Sequence, residues 1–182
     1  MEFLGNTGDL IDWQSVIEDI SSKSPEYIGP RHTEHDKIKD IELISNAWKK
    51  AGLKLGRDGG SIEWDMFTNH QYGNDVTKLF EDFVGADDVA SWISRIRPGF
   101  QAPWHWDTTD FEDEYDSIPN LIRVSCFISE PTDGHIFILE NKCFYREKRG
   151  NVYKWPSRKS WHAGANSGFT PKYMYNFIGK LR

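Results

Sequence analysis

The sequence predicts a mainly β fold, a sandwich or open barrel buttressed by helices from its N-terminal half. Period-two alternation runs through SIEWDMF (61–67), ASWISRIR (90–97), LIRVSCFIS (121–129), GHIFILEN (134–141), NVYKWP (151–156) and KYMYNFIGKL (172–181). Residues i and i+2 of an extended chain share a face, so each segment presents one apolar side. Gly, Pro and Asn separate the segments, as tight turns require. Helical spacing is confined to the first half.

Three helices account for that half. Leu10, Trp13, Val16, Ile17 and Ile20 share one face, with Asp9 as the expected N-cap, and SSKSPEYIGPR follows as a loop. A second helix is expected from Thr33, where Asp36 completes a capping-box-like pair, to Gly52, turning Ile41, Ile44, Trp48 and Ala51 inward. Val76, Leu79, Phe80 and Phe83 before Gly85 mark the third. These stripes are core positions and carry no chemistry.

With 182 residues and 38% hydrophobic content, the chain suits one globular domain. No apolar run is long enough for a membrane-spanning helix, and MEFLGNTGDL lacks the basic start and apolar stretch of a signal peptide. A cytoplasmic protein with no membrane association is the expectation. Cys126 and Cys143 are too few for a disulfide framework and read as reduced core residues on strands. The net charge of -6 argues against nucleic-acid binding, yet it is unevenly spread. Residues 1–141 hold 12 Lys+Arg against 27 Asp+Glu, whereas residues 142–182 hold 10 against Glu147 alone. Cross-strand pairing of late basic strands with early acidic ones is the favoured explanation, ahead of an anion-binding face.

Two histidines sit in settings unlike the others. In RPGFQAPWHWD, His105 precedes Asp107 by two residues, so an imidazole and a carboxylate converge on one face of an extended strand. His162, in SWHAGANSG, ends another strand pattern at a Gly/Asn turn and is the best candidate for a third ligand. Two His and one carboxylate on one face leave opposite positions open, the arrangement of non-haem iron(II) oxygenases. His-x-Asp alone is a weak signal. Ten residues beyond His162, Lys172 opens the last strand, where a cation can pair with the far carboxylate of a chelated 2-oxo acid. The plain alternative for Lys172 is an exposed strand-start lysine.

Together, RIRPGFQAPWHWD, IRVSCFIS, WHAGANSG and the basic residue ten positions on make residues 90–182 resemble the 2-oxoglutarate/iron(II) dioxygenase superfamily. The aspartyl/asparaginyl-hydroxylase-like and prolyl-hydroxylase-like branches come nearest. The resemblance implies a double-stranded β-helix (jelly roll, cupin-like) over 90–182, with 1–89 a largely helical support region. It implies His105, Asp107 and His162 as iron ligands, Lys172 as the anchor of 2-oxoglutarate, and Arg123 and Ser125 as further contacts to that co-substrate. Lys at the anchor follows the prolyl-hydroxylase-like branch, since Arg is usual in the other. A carboxylate at 107 favours hydroxylation over halogenation. The implied partners are 2-oxoglutarate, dioxygen and a peptide, protein side chain or amino-acid-like substrate.

Trp104, Trp106, Trp155 and Trp161 lie near the proposed ligands, with Trp161 the first choice for a pocket wall and strand packing the alternative. His32, His35, His70 and His135 read as surface or core residues. The run DTTDFEDEYD (107–116) holds six acids and no base. It reads as a solvated loop, or as an acidic flap steering cationic substrates towards the pocket. Two rival functions remain open to the sequence: a cupin-like metalloenzyme that does not use 2-oxoglutarate, which would leave Lys172 without a role, and a non-catalytic jelly-roll binding module.

Overall fold

The computed structural model describes residues 1–29, 39–106, 118–157 and 159–182. The strands in chain order are β1 (Glu2–Asn6), β2 (Tyr27–Gly29), β3 (Trp64–Thr68), β4 (Ala86–Ile96), β5 (Gln101–His105), β6 (Leu121–Phe127), β7 (His135–Leu139), β8 (Lys142–Tyr145), β9 (Asn151–Lys154), β10 (His162–Asn166) and β11 (Lys172–Leu181). The helices are α1 (Trp13–Ser21), α2 (Lys39–Lys50), α3 (Asn69–Tyr72) and α4 (Asn74–Val84). The larger sheet runs β1-β9-β6-β11-β4-β3-β2 and the smaller β5-β10-β7-β8.

From β4 onward, pairing is nested. β4 pairs with β11, β5 with β10, β6 with β9 and β7 with β8, all antiparallel. First meets last and second meets second-to-last, so the chain is one long hairpin rolled until successive rungs fall alternately in two sheets. That path is a double-stranded β-helix, or jelly roll. The chain is mainly β, as the alternating segments predicted.

Period two along the strands sorts their side chains between two compartments. On β11, Tyr173, Tyr175 and Phe177 join a core with Val124 and Cys126 of β6, Ile93 of β4, and Trp13, Ile20, Tyr72 and Phe80 of the helices. The alternate residues Lys172, Met174 and Asn176 point into the roll. A second cluster, Phe127, Phe137, Leu139, Phe144, Trp155 and Met174, fills part of the roll between the sheets. Both faces of β11 are therefore covered, which is why its first eight residues are all buried.

The helices differ from expectation in detail. Asp12, not Asp9, caps α1: its carboxylate accepts the Ser15 N–H at 3.1 Å and the Ser15 hydroxyl at 2.8 Å. Leu10 is consequently outside the helix and exposed. In α2, Ile44 and Trp48 are buried as predicted, whereas the expected start at Thr33 and Asp36, and the side chain of Ile41, lie outside what is described. In α4 Phe80 is 0% exposed while Leu79 is 44% exposed, so the stripe is narrower than its apolar residues suggest. The helix stops at Gly85, whose φ of 69° lets its N–H turn back to Glu81 O at 2.9 Å. Residues 1–89 also supply β1, β2 and β3, three strands of the larger sheet. Of the cysteines, Cys126 is buried but Cys143 is exposed, because β8 is the edge of the smaller sheet and Cys143 points away from the roll.

The C-terminal basic residues find early acids. Arg182 meets Asp87 at 2.8 Å and Asp82 at 3.0 Å, Arg149 meets Glu130 at 2.9 Å, and Arg146 meets Asp133 at 3.3 Å. Among the described residues no helix is long and apolar enough to cross a membrane.

Phe80 sits against Tyr175 and Phe177, ring centroids 4.7 and 5.4 Å away. Phe80→Ala is expected to reduce unfolding free energy by about 3–5 kcal/mol, the cost of an unfilled cavity. Leu79→Ala, one residue away but facing water, should stay within roughly 0.5 kcal/mol of wild type. Urea denaturation of both variants checks the packing face of α4.

Candidate active site

His105 closes β5 and His162 opens β10, and the two are direct cross-strand partners. Their rings lie 4.1 Å apart between centroids, and both are buried. Each Nδ1–H donates to a backbone carbonyl two residues earlier, His105 to Pro103 at 2.6 Å and His162 to Ser160 at 3.1 Å. A carbonyl only accepts, so these bonds assign the tautomer and make Nε2 the lone-pair nitrogen of each ring. Such outward anchoring is how a metal-binding imidazole is held. Aromatic rings pack against the pair: Trp64 stacks on His105 at 5.5 Å, Trp48 meets it edge-on at 6.3 Å, and Trp155 meets His162 edge-on at 4.7 Å.

Both histidines line an open cleft whose empty volume is about 470 Å³, between the inner faces of the two sheets. Lys172 and Arg123 line it too. Lys172 is 3% exposed, which removes the reading of a strand-start lysine in solvent. Its ammonium donates to Ile136 O at 2.6 Å and lies 5.4 Å from the Phe137 centroid. Burial pushes its pKa down to about 7. Gly164 makes room for it: a Cβ there would stand 3.3 Å from Lys172 Nζ and 2.9 Å from Ile96 Cδ1. The small residues of WHAGANSG thus have a steric reason, since β10 passes directly over the lysine.

Arg123, also buried, lies over the Trp155 ring at 3.8 Å and over Trp92 at 5.5 Å. Ser125 does not line the cleft. Its hydroxyl accepts from Trp155 Nε1 and donates to Asn176 Oδ1, both at 3.0 Å, and thereby holds two residues that do. Asp107 and the acidic run 107–116 lie outside the described residues, as do His32 and His35.

Among the four tryptophans singled out, Trp155 lines the cleft. Trp104 and Trp161 are 45% and 43% exposed, each adjacent to an inward histidine and so turned outward, and Trp106 packs edge-on against Trp161 at 4.3 Å. Walls not anticipated are Trp64, Trp92, Phe137 and Asn176. Asn176 was accessible to the period-two rule, being a polar residue four positions after Lys172 on the same face. Trp64 and Phe137 come from other strands, and no local pattern announces them. His135 Nε2–H donates to Thr170 O at 2.9 Å, and burial lowers its pKa.

No protein-family model and no curated protein matches this chain. Among solved structures it is similar to the viral collagen prolyl hydroxylase of Paramecium bursaria Chlorella virus-1 in its 2OG complex, at 18% identity and TM-score 0.47 over 79% of this chain and 92% of that one. A Pseudomonas putida prolyl-4-hydroxylase is similar at 13% identity and TM-score 0.42, over 93% of this chain and 99% of that one. A predicted oxalate decarboxylase from Thermotoga maritima follows at 15% identity and TM-score 0.39, over 65% and 82%. No residue role is carried over from them.

Among the described residues no group of three or more His, Cys, Asp or Glu forms a metal-binding cluster, and the cleft lining contains no acid. Two paired imidazoles with assigned tautomers fit two positions of a three-ligand iron set, and the third candidate, Asp107, lies two residues beyond His105 in sequence.

Proposed function

We propose that this protein is a 2-oxoglutarate- and iron(II)-dependent oxygenase that hydroxylates a C–H bond of a peptide, protein side chain or amino-acid-like substrate. The observation that carries the proposal is Lys172: a buried ammonium lining the same cleft as a cross-strand histidine pair. An ammonium taken out of water is costly unless a ligand anion joins it. A 2-oxo acid with a second carboxylate supplies that anion while its other end chelates metal.

In this reading His105, His162 and Asp107 hold iron(II), Lys172 binds the far carboxylate of 2-oxoglutarate, and Arg123 adds positive charge to the same cleft. Bound iron(II) supplies the activation of dioxygen, by which 2-oxoglutarate, dioxygen and R–H become succinate, carbon dioxide and R–OH. The protein binds, orients and excludes water. Phe137 and Trp155 wall the cleft, and Ser125 keeps Trp155 and Asn176 in place. Since the described lining holds cations and no acid, any attraction of a cationic substrate falls to the 107–116 run.

The test is anaerobic addition of iron(II) and then 2-oxoglutarate to the purified chain. A weak visible charge-transfer band should grow only when both are present. Iron binding with no band on adding 2-oxoglutarate would favour a cupin-like metalloenzyme of another class, and failure to bind iron would favour a binding module.

A further inference from the structure

The cleft holds a second buried cation, Arg123, whose ligand the proposed function leaves unassigned. Sheet register separates it from Lys172. Arg123 on β6 pairs with Ile178 of β11, six residues beyond Lys172, so the two backbone positions stand about 20 Å apart along the strand direction. Asn176 comes between them on β11, where it pairs with Trp92 of β4.

Each cation has its own aromatic neighbour in the cleft, and both neighbours reach His162. Lys172 lies beside Gly164, two residues after His162 on β10, and 5.4 Å from the Phe137 centroid; Phe137 in turn stands 6.2 Å from the His162 ring. Arg123 lies 3.8 Å from the Trp155 centroid, and Trp155 meets His162 at 4.7 Å. One aromatic side chain therefore links each cation to the same imidazole.

On the reading that the cleft takes iron(II) and 2-oxoglutarate, this placement serves two different anions. One end of the co-substrate chelates the metal and the other meets Lys172, so both of its charged ends are engaged. Arg123 then faces an anion of another molecule. Its stacking on Trp155 and Trp92 uses the faces of the planar guanidinium, while its N–H donors lie in the plane, where a carboxylate accepts two of them in parallel. The described lining contains no acid, so nothing on those walls repels a second anion.

We propose that Arg123 binds a carboxylate of the substrate itself, which makes the substrate a carboxylate-bearing molecule. Because one indole links the guanidinium to His162, that carboxylate lies within a few bonds of the carbon presented to the metal. The reacting part of the substrate is therefore of amino-acid size. This assignment rests on the 2-oxoglutarate reading above and adds to it the class of the second ligand.

The experiment adds carboxylate probes to the full chain loaded anaerobically with iron(II) and 2-oxoglutarate. The probes are the free L-amino acids against their α-amides, and doubly capped Asp and Glu against doubly capped Asn and Gln. Perturbation of the visible charge-transfer band reports binding and gives an affinity. At least one acid should bind wild type about thirty-fold or more tighter than its neutral counterpart. A free amino acid as that probe identifies an α-carboxylate at Arg123, and a capped one identifies a side-chain carboxylate. Arg123→Gln should erase the margin, and Arg123→Lys, which keeps the charge but not the fork, should recover only part of it. Both variants should hold 2-oxoglutarate within about threefold of wild type. A larger loss in both would give the guanidinium to the co-substrate and overturn the proposal, as would a panel in which no acid outbinds its neutral counterpart. Should wild type give no band, the 2-oxoglutarate reading fails by itself. Thermal shifts with the same probes then decide on Arg123: a shift that vanishes in Arg123→Gln upholds the assignment, and equal shifts or none overturn it.

Discussion

His162→Ala is expected to remove iron and succinate production together while leaving the far-ultraviolet circular dichroism unchanged, and His105→Ala and Asp107→Ala should do the same. The two histidines face each other as one cross-strand pair, so losing either leaves two ligands at most. The fall in iron affinity should exceed the roughly 10–100-fold that follows loss of a residue merely orienting a ligand. Both stand at strand ends, His105 closing β5 and His162 opening β10, so truncation should leave the strands in place. Metal content by elemental analysis and succinate release measured on one preparation check this. Wild-type iron content in Asp107→Ala would remove that residue from the ligand set.

The second large effect is expected at Lys172, and it has two opposite signs. Lys172→Met should weaken 2-oxoglutarate binding by about 2–4 kcal/mol, roughly thirty- to several-hundred-fold, as for truncating a buried charge-assisted contact. Iron affinity should barely change. In the absence of ligand the same variant should be more stable than wild type, because a buried ammonium is replaced by an apolar side chain of similar reach. The pH dependence follows from the folded pKa of about 7 against the ordinary 10.5. Between these values the unfolded chain holds the proton and the folded chain does not, so stability attributable to Lys172 rises with pH across this window. The penalty is fully present below about pH 7. Binding of the co-substrate runs the other way, since its carboxylate needs the ammonium: affinity should decline above about pH 7 in wild type and stay level in Lys172→Met. Urea unfolding and 2-oxoglutarate titration at several pH values separate the two. A wild-type affinity in the variant would remove the main ground for assigning 2-oxoglutarate to this cleft.

Much of the fold was legible because strands here announce themselves locally. KYMYNFIGKL reads as a strand and is one from Lys172 to Leu181, and LIRVSCFIS yields β6 within two residues of its end. What escaped were elements whose residues carry no such signal. β10 is HAGAN, small residues of low strand propensity, and it exists because β5 and β7 pair with it on either side. β1 and β8 are edge strands with one partner each, and β2 is three residues long. The Asp9 cap failed because α1 begins at Trp13, which puts Asp12 and not Asp9 at the N-cap position.

By itself, the sequence determined the mainly β class, the helical covering of the first half, and the candidacy of His105, His162 and Lys172, because each rests on neighbours within a few residues or on one repeated spacing. The tertiary structure alone decided that His105 and His162, 57 positions apart in the chain, are cross-strand partners, that Lys172 is buried, and that Trp64, Trp92 and Phe137 share their cleft. It also decided that Trp104 and Trp161 turn outward. The physical reason is the rolled hairpin: its rungs bring together residues far apart in sequence, and alternation tells which residues share a face but not which strand will lie opposite.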